Sequence, residues 1–377
     1  MAGIYIHIPF CKQACHYCDF HFSTSLKKKE ELLVCLKKEL VLRKKELCEE
    51  VIETIYFGGG TPSILEVDEI NDLIACVYEN FEVIEQPEIT LEANPDDLDV
   101  ATIQRLAASK VNRLSIGVQS FDEADLTMMN RAHNATEAIS CLEEATKHFD
   151  NISIDLIYGI PNMSNERWLH NVQRVLSLGI PHISCYALTV EERTALNKLI
   201  KKGVIPSPEE EVAHQHFMLL IDTLKSNGYI HYELSNFAKE GYYSKNNSAY
   251  WLGKKYLGIG PSAHSFDGVH RSWNVANNSL YINEINKNQL PREVETLTAI
   301  DRYNEYVMTG LRTIWGVDIE RVATELGTKY SDYLVQESAR FIADGLMHQA
   351  GSVLTITDKG KFLSDGIASD LFWVDLK

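Results

Sequence analysis

Three cysteines near the start of the sequence, Cys11, Cys15 and Cys18, lie within eight residues of one another. Thiolates are the ligands that an iron–sulfur cubane requires. A loop that supplies only three of them leaves one iron of a [4Fe–4S] cluster without a protein ligand, and that iron can bind a small molecule. The spacing therefore predicts a cluster with one open coordination position.

A zinc site is the alternative use of these thiols, with His7, His16 or His21 as the fourth ligand. Structural zinc is usually held by two separated pairs of ligands, and no second cysteine pair follows downstream. The other five of the eight cysteines are scattered singly, which is typical of small buried apolar side chains. The pattern therefore favours the cluster over zinc.

The 377-residue chain is acidic, with 36 basic and 53 acidic residues and a formal net charge of −17. Such a surface repels nucleic-acid phosphates and anionic membranes, so we expect neither as a partner. No apolar run of about 18 residues is present, and the first residues lack the basic stretch of a secretion signal. We therefore predict a cytoplasmic protein without stable membrane insertion.

Short β-branched segments alternate with longer segments of helical periodicity, which predicts an α/β fold with a parallel sheet of six βα units. The predicted strands are 3–8, 54–57, 88–92, 113–118, 152–157 and 182–187. The predicted helices between them are 27–47, 64–78, 99–108, 136–148 and 168–178. Six units are too few for a closed eight-stranded barrel, so we expect a partial (β/α)6 barrel over residues 1–230.

The unusual residues of this region all follow the carboxyl ends of predicted strands, where parallel α/β folds carry their sites. The cysteines follow the first strand, and the later rim segments are 58–62, 93–95, 119–121, 158–161 and 188–192. This pattern predicts that one rim of the sheet collects the functional residues.

The remaining chain has a different composition. Residues 231–296 mix aromatic residues, glycine and asparagine, and we predict that they close or cover the barrel mouth. From residue 297 onward the sequence predicts a small winged-helix-like α+β module over 297–377. Its predicted elements are helices 299–313, 319–326 and 333–344, strands 347–350 and 353–356, and a final helix from about 357. The acidic composition favours packing or a lid role for this module over DNA binding.

The segment Ile-His-Ile-Pro-Phe-Cys at 6–11, together with Cys-His-Tyr-Cys at 15–18, resembles the radical S-adenosylmethionine (SAM) superfamily. It resembles more closely the coproporphyrinogen-oxidase-like branch, over nearly the whole chain. The resemblance implies that the open iron binds the amino and carboxylate groups of SAM. One electron from the cluster then cleaves SAM to methionine and a 5′-deoxyadenosyl radical. A reductant protein such as flavodoxin or ferredoxin is the implied electron source.

The resemblance also assigns SAM-contacting positions on the rim. Gly59, Gly60 and Thr61 match the loop whose backbone meets the methionine amino group, where glycine permits close approach. Arg131 matches the basic residue that faces the SAM carboxylate, which suits the guanidinium fork. Glu92, at the end of the third predicted strand, is the expected acceptor for the ribose hydroxyls. The further matching positions are Tyr5, Tyr17, Gln119, Asp155 and Ala187.

Two functions are open within this branch. One is a heme chaperone, which binds heme and passes it to acceptor proteins. The other is an oxygen-independent coproporphyrinogen III oxidase, which uses the radical to start oxidative decarboxylation of propionate side chains. Phe20 stands where the oxidase group has an additional cysteine, and only two residues precede the first predicted strand. Both features favour the heme chaperone (HemW) group.

Residues 246–251, Asn-Asn-Ser-Ala-Tyr-Trp, resemble the His-Asn-x-x-Tyr-Trp motif of that group, but Asn246 replaces its heme-linked histidine. An amide is a poorer axial ligand than imidazole. We therefore expect either weak heme binding or ligation by another group, such as His231, His264 or a tyrosine. Tyr250 and Trp251 are expected to stack on the porphyrin or to pack in the core.

Overall fold

The computed structural model describes residues 1–374, which form a twelve-stranded sheet with flanking helices and a separate three-stranded sheet. The strands are β1 (Ala2–Ile8), β2 (Ile52–Gly59), β3 (Val83–Ala93), β4 (Arg113–Gln119), β5 (Ile152–Tyr158), β6 (His182–Ala187), β7 (Ile230–Glu233), β8 (Asn236–Ala238), β9 (Lys255–Ile259), β10 (His264–Phe266), β11 (His270–Asn274), β12 (Arg292–Thr296), β13 (Val317–Asp318), β14 (Met347–Ala350) and β15 (Val353–Ile356). The helices are α1 (Lys29–Arg43), α2 (Val67–Asn80), α3 (Val100–Ala107), α4 (Glu123–Met128), α5 (Ala135–Ala145), α6 (Asn165–Ser177), α7 (Ala195–Lys201), α8 (Glu210–Ser226), α9 (Lys245–Trp251), α10 (Asn278–Asn286), α11 (Ala299–Leu311), α12 (Ile319–Glu325), α13 (Thr328–Ala343) and α14 (Ser364–Asp370).

The six predicted strands are confirmed, and β1 to β6 pair in parallel in their sequence order. Helices connect them at the predicted positions, and β1 and β6 do not pair with each other, so the barrel stays open. The predicted α/β fold with a partial barrel is therefore confirmed. The short helix α4, between β4 and β5, was not predicted.

The two faces of the parallel strands differ in polarity, because successive side chains of a strand point to opposite faces. On β1, Ile4, Ile6 and Ile8 are fully buried in the apolar core beneath the helices. Tyr5, on the other face, stacks on Tyr56 of β2 with 6.0 Å between ring centroids. The inner face of the sheet continues with polar side chains, namely Thr54, Glu92, Arg113, Ser115, Asp155 and His182.

Residues 231–296 extend the sheet at both of its edges. Strand β8 pairs antiparallel with β6, and β9 pairs in parallel with β1 before β10, β11 and β12 continue that edge. The sequence did not predict β9 to β12, which are only three to five residues long. The domain boundary at residue 231 stays a prediction.

Helix α9 lies against β1 and β2, on the inner side of the sheet. The Glu88 carboxylate accepts hydrogen bonds from the backbone N–H groups of Lys245 and Asn246, each at 3.1 Å, and so balances the positive end of the helix dipole. Thr54 Oγ1 donates to Asn246 Oδ1 at 3.2 Å. Asn246 is 3% exposed, so this residue belongs to the interior of the protein.

The C-terminal residues form the predicted winged-helix-like module. Helices α11, α12 and α13 pack with β13, β15 and β14 around a second apolar core that includes Tyr303, Val307 and Leu354. Predicted strands 347–350 and 353–356 are confirmed, but the final helix starts at Ser364 and not near 357. Residues 357–360 form a turn instead, in which Thr357 N–H donates to the Leu346 carbonyl. Within residues 1–374, no helix combines the length and apolar character that crossing a membrane requires.

A buried ion pair fixes α1 to the β9–β10 edge. Arg43 donates to Glu39 Oε1 at 3.1 Å and to the Gly258 carbonyl at 2.7 Å. Glu39 Oε2 accepts from the Tyr281 hydroxyl at 2.6 Å and from the Gly260 N–H at 2.8 Å. Both charged side chains are buried, so each depends on the other for its solvation.

Replacing Arg43 with Met leaves the Glu39 carboxylate buried without its cation. We expect the free energy of unfolding to fall by about 3–5 kcal/mol, measured by urea denaturation. The control is Lys37→Met on the same helix, which removes an exposed pair with Asp72 and should cost less than about 1 kcal/mol. Equal losses in the two variants would contradict a special role for the buried pair.

Candidate functional site

A cavity of about 460 Å³ opens at the carboxyl ends of the parallel strands, the end that the sequence predicted. Twelve of the thirteen predicted site residues line it: Cys11, Cys15, Tyr17, Cys18, Gly59, Gly60, Thr61, Glu92, Gln119, Arg131, Asp155 and Ala187. The exception is Tyr5. Its hydroxyl lies 3.2 Å from His7 Nδ1 and its ring stacks on Tyr56, so it supports residues next to the cavity.

The cysteine loop is closed at its base by backbone hydrogen bonds. Cys11 N–H donates to the Ser23 carbonyl at 3.1 Å, and Ser23 N–H donates to the Pro9 carbonyl at 2.9 Å. Within the loop, His16 N–H donates to the Met129 carbonyl at 3.0 Å, which ties it to the segment after α4. All three thiol residues are half-buried and line the cavity, so a bound group can reach them from one side.

The thiols and the neighbouring histidines do not form a preformed single-ion site. Among residues 1–374, no three His, Cys, Asp or Glu side chains converge on a point where they could hold a single metal ion. The histidines of the zinc alternative lie near carbonyls instead, with His7 Nε2 3.1 Å from the His21 oxygen and His16 Nδ1 2.8 Å from the Met128 oxygen. Burial raises the pKa of Cys18 to about 11, so binding of a metal group must displace a proton from this thiol.

Arg131 brings a positive charge to the same cavity. Its guanidinium donates to Cys15 Sγ at 3.2 Å and to Asn94 Oδ1 and the Gly117 carbonyl, both at 2.7 Å. Its Nε is buried and has no hydrogen-bond partner within the described part of the chain. A buried donor without a partner is costly, and the guanidinium as a whole adds a positive charge to the wall of the cavity.

The glycine loop after β2 lies directly against the cysteine-bearing segment. Gly60 N–H donates to the Ile8 carbonyl at 2.9 Å, and Thr61 N–H donates to the Phe10 carbonyl at 2.7 Å. A Cβ on Gly60 would lie 2.6 Å from the Phe10 oxygen, closer than atoms can pack. Glycine is therefore required here for the two loops to meet at the cavity.

Two partly buried carboxyl groups form part of the cavity wall. Glu92 accepts from the Tyr56 hydroxyl at 2.7 Å and from the Gly59 N–H at 3.2 Å. Burial raises the pKa of Glu92 to about 7, against the opposing effect of the Tyr56 hydrogen bond. Burial likewise raises the pKa of Asp155 to about 6. Both groups can therefore exchange a proton near neutral pH or accept hydrogen bonds from a polar ligand.

Some cavity residues were missed by sequence reasoning. Asn94 joins two predicted positions, because its amide accepts from Arg131 and donates to Thr61 Oγ1 at 3.3 Å. Its position in rim segment 93–95 is the sequence feature from which it could have been predicted. Tyr186 also lines the cavity, and its position two residues after the inward-facing Ser184 could have identified it.

Comparison with known proteins places this geometry in a family. Residues 5–190 match the model of the radical SAM superfamily, and residues 297–363 match that of the HemN C-terminal domain. The heme chaperone HemW of Bacillus subtilis is 32% identical over 371 residues, which cover 97% of this chain and 98% of that protein. The chain belongs to the HemW family.

Other relatives agree with this membership. The HemW protein of Lactococcus lactis is 32% identical over 364 residues, covering 96% of this chain and 95% of that one. Among solved structures, coproporphyrinogen III oxidase (HemN) of Escherichia coli, a radical SAM enzyme, superposes with a TM-score of 0.85 at 25% identity, over 98% of this chain and 90% of that one. The predicted family and fold are confirmed, and membership of the HemW family within the radical SAM superfamily implies a [4Fe–4S] cluster and SAM as cofactors.

Replacing Glu92 with Gln removes the carboxyl group whose folded pKa is about 7. In the unfolded chain the group ionises near its ordinary pKa of about 4.3. Wild type therefore loses the stability that depends on this group as pH rises from about 4.3 to about 7. The variant lacks this loss, while the raised pKa of Asp155 affects both proteins over the lower part of the interval. We expect the variant to gain about 3 kcal/mol relative to wild type across this interval, measured by urea denaturation of both metal-free proteins.

The control for removing one negative charge is Glu85→Gln, which lies exposed on the same strand. A stability difference between Glu92→Gln and wild type that does not change with pH would contradict the raised pKa.

Proposed function

We propose that this protein is a heme chaperone that carries a [4Fe–4S] cluster, binds SAM and passes heme to acceptor proteins. The observation that carries the proposal is the full-length similarity to proteins named heme chaperones, from Bacillus subtilis to Lactococcus lactis. The convergence of three thiols, one arginine and two carboxyl groups on a single cavity supports the cofactor part.

In this proposal Cys11, Cys15 and Cys18 hold the cluster. The three cysteines line one cavity, as ligands of a single cluster must. Arg131 places its positive charge 3.2 Å from Cys15 Sγ, where it offsets the negative charge that thiolates and cluster bring. When bound, such a cluster supplies the electron that cleaves SAM.

SAM would occupy the rest of the cavity. The backbone of Gly59 and Gly60 and the side chain of Thr61 would meet its amino group, and Arg131 its carboxylate. Glu92 would accept from the ribose hydroxyls. The polar or small groups that complete the pocket are Tyr17, Gln119, Asp155 and Ala187. Tyr5 would contribute indirectly. Its ring stacks on Tyr56 and holds it in place, and the Tyr56 hydroxyl donates to Glu92.

The same proposal includes partners and location. A reductant protein such as flavodoxin or ferredoxin would deliver the electron, and acceptor proteins would receive heme. Reduced cysteines and a thiolate-held cluster persist in a reducing compartment, which supports a cytoplasmic location. The net charge of −17 supports a function without nucleic acid.

An oxygen-independent coproporphyrinogen III oxidase is the second candidate. The TM-score of 0.85 to the Escherichia coli enzyme favours it, since the likeness includes the C-terminal module. Phe20 counts against it, because a 68% exposed phenyl ring stands where the oxidase group has an additional cysteine.

The two functions predict different products. We expect the anaerobically reconstituted protein to bind hemin and to transfer it to an apo-hemoprotein, followed by absorption spectroscopy. With SAM and a chemical reductant it should leave coproporphyrinogen III unchanged, as assayed by chromatography. Conversion to protoporphyrinogen without stable hemin binding would establish the oxidase function instead.

The cluster assignment is tested by Cys15→Ala. After anaerobic reconstitution with iron and sulfide, wild type should contain about four iron atoms per chain and the variant far fewer. The matched control is Cys48→Ala, because Cys48 is an exposed cysteine outside the cavity and its loss should leave the iron content unchanged. A Cys15→Ala protein with full iron and sulfide would refute the assignment.

A further inference from the structure

A second cavity, of about 610 Å³, lies between the edge of the large sheet and the C-terminal module. Its walls come from α9, β9, β10 and β11 on one side and from α11 and α12 on the other. We propose that this cavity is the iron-porphyrin site and that His264 is the axial ligand to the iron. The inference rests on the proposed heme chaperone function and assigns a place on the chain to its heme.

Two of the side chains that the sequence analysis considered in relation to the heme iron cannot bind it. Asn246 is 3% exposed and accepts from Thr54 Oγ1 in the interior. His231 is also 3% exposed, and its ring stacks on Phe237 with 3.9 Å between centroids. Its Nε2 lies 3.0 Å from the Leu234 carbonyl oxygen and its Nδ1 2.8 Å from Lys361 Nζ. Both ring nitrogens of His231 are therefore already engaged.

His264 is available. Its side chain is exposed and lines the second cavity. Within residues 1–374 neither ring nitrogen forms a hydrogen bond, although strand β10 holds the residue in register with Trp273 of β11. Partial burial, and then the nearby charge of Arg271, lower the pKa of His264. The lowered pKa favours the neutral imidazole, which is the form that binds iron.

The cavity has an aromatic wall against which a porphyrin ring could pack. Tyr250 packs edge-on against Tyr256 with ring centroids 4.7 Å apart, and Phe266 continues this aromatic wall at 6.4 Å from Tyr256. Trp251 also lines the cavity, and its buried indole Nε1 has no hydrogen-bond partner in the described structure. The volume lies within the range of about 300–1,000 Å³ that is usual for cofactor pockets.

The charges of the cavity wall suit the two propionates of heme. The wall includes carboxylates, but Glu305 is paired with Arg271 and Glu325 with Arg321, the latter at 3.0 Å. Arg302 of α11 also lines the cavity and forms no ion pair within residues 1–374. A guanidinium without a carboxylate partner is the group that a propionate would bind.

This site is separate from the cysteine cavity. No residue in the described part of the chain lines both cavities. Heme in the second cavity would leave the thiols and the SAM pocket free. Hemin and SAM should therefore bind the same chain together.

The experiment is a hemin titration of the full-length reconstituted protein, followed by absorption and electron paramagnetic resonance spectra. We expect His264→Ala to bind hemin at least tenfold more weakly and to lose the spectrum of imidazole-ligated iron. The matched control is His270→Ala, an exposed histidine of β11 outside the cavity whose ring lies 2.9 Å from Asp267. It should bind like wild type. His264→Met should retain a heme complex with an altered spectrum, a change that only direct ligation produces.

A second pair of probes tests the orientation. Arg302→Ala should weaken hemin about tenfold, the loss expected for one charge-assisted hydrogen bond, but should not change the affinity for hemin dimethyl ester. The addition of SAM should leave hemin binding unchanged.

The outcomes separate this inference from the function on which it rests. If wild type binds no hemin, the heme chaperone function fails and the site fails with it. If wild type binds hemin and His264→Ala and His264→Met both keep its spectrum and affinity, the function stands and the assignment of the site is overturned. Competition between hemin and SAM would also overturn it, because heme would then occupy the first cavity.

Discussion

The backbone contact between the first two strand-end loops is the constraint on which the site depends. Gly60 and Thr61 donate to the carbonyls of Ile8 and Phe10, and this leaves no room for a Cβ on Gly60. The contact holds the segment that begins the cysteine loop directly beside the backbone that follows β2. Arg131 and Glu92 then complete the cavity from the loop after α4 and from β3.

The polar interior of the open barrel is the second condition for this site. The outer faces of the strands contribute isoleucine, leucine and valine to the core, so the inner faces can carry groups that hydrogen-bond with one another. Helix α9 completes this interior through the Glu88 carboxylate and through Thr54. Many of the polar groups in this interior thus have partners, and the carboxyl groups of Glu92 and Asp155 are held at the wall of the cavity.

The position of α9 also explains why Asn246 and Tyr250 have different environments although they belong to one motif. Asn246 is buried against β1 and β2, whereas Tyr250, one turn further along the helix, lines the second cavity. The C-terminal module provides the opposite wall of that cavity with Arg302 and Arg321. The acidic balance of the chain favoured a packing role for this module over DNA binding. In the structure the module packs against the large sheet, and its arginines lie where they can help to bind a ligand.

The sequence by itself determined the six βα units, the common rim of their loops and the clustering of the cysteines. These features depend on contacts between residues near in the chain and on the two-residue period of strands. Only the tertiary structure decided the pairing of β9 with β1, the burial of Asn246, the partners of Arg131 and the second cavity with His264 in its wall. Each of these joins segments far apart in sequence, such as β1 with residues 255–259, and local periodicity carries no information about which distant segments will pack together.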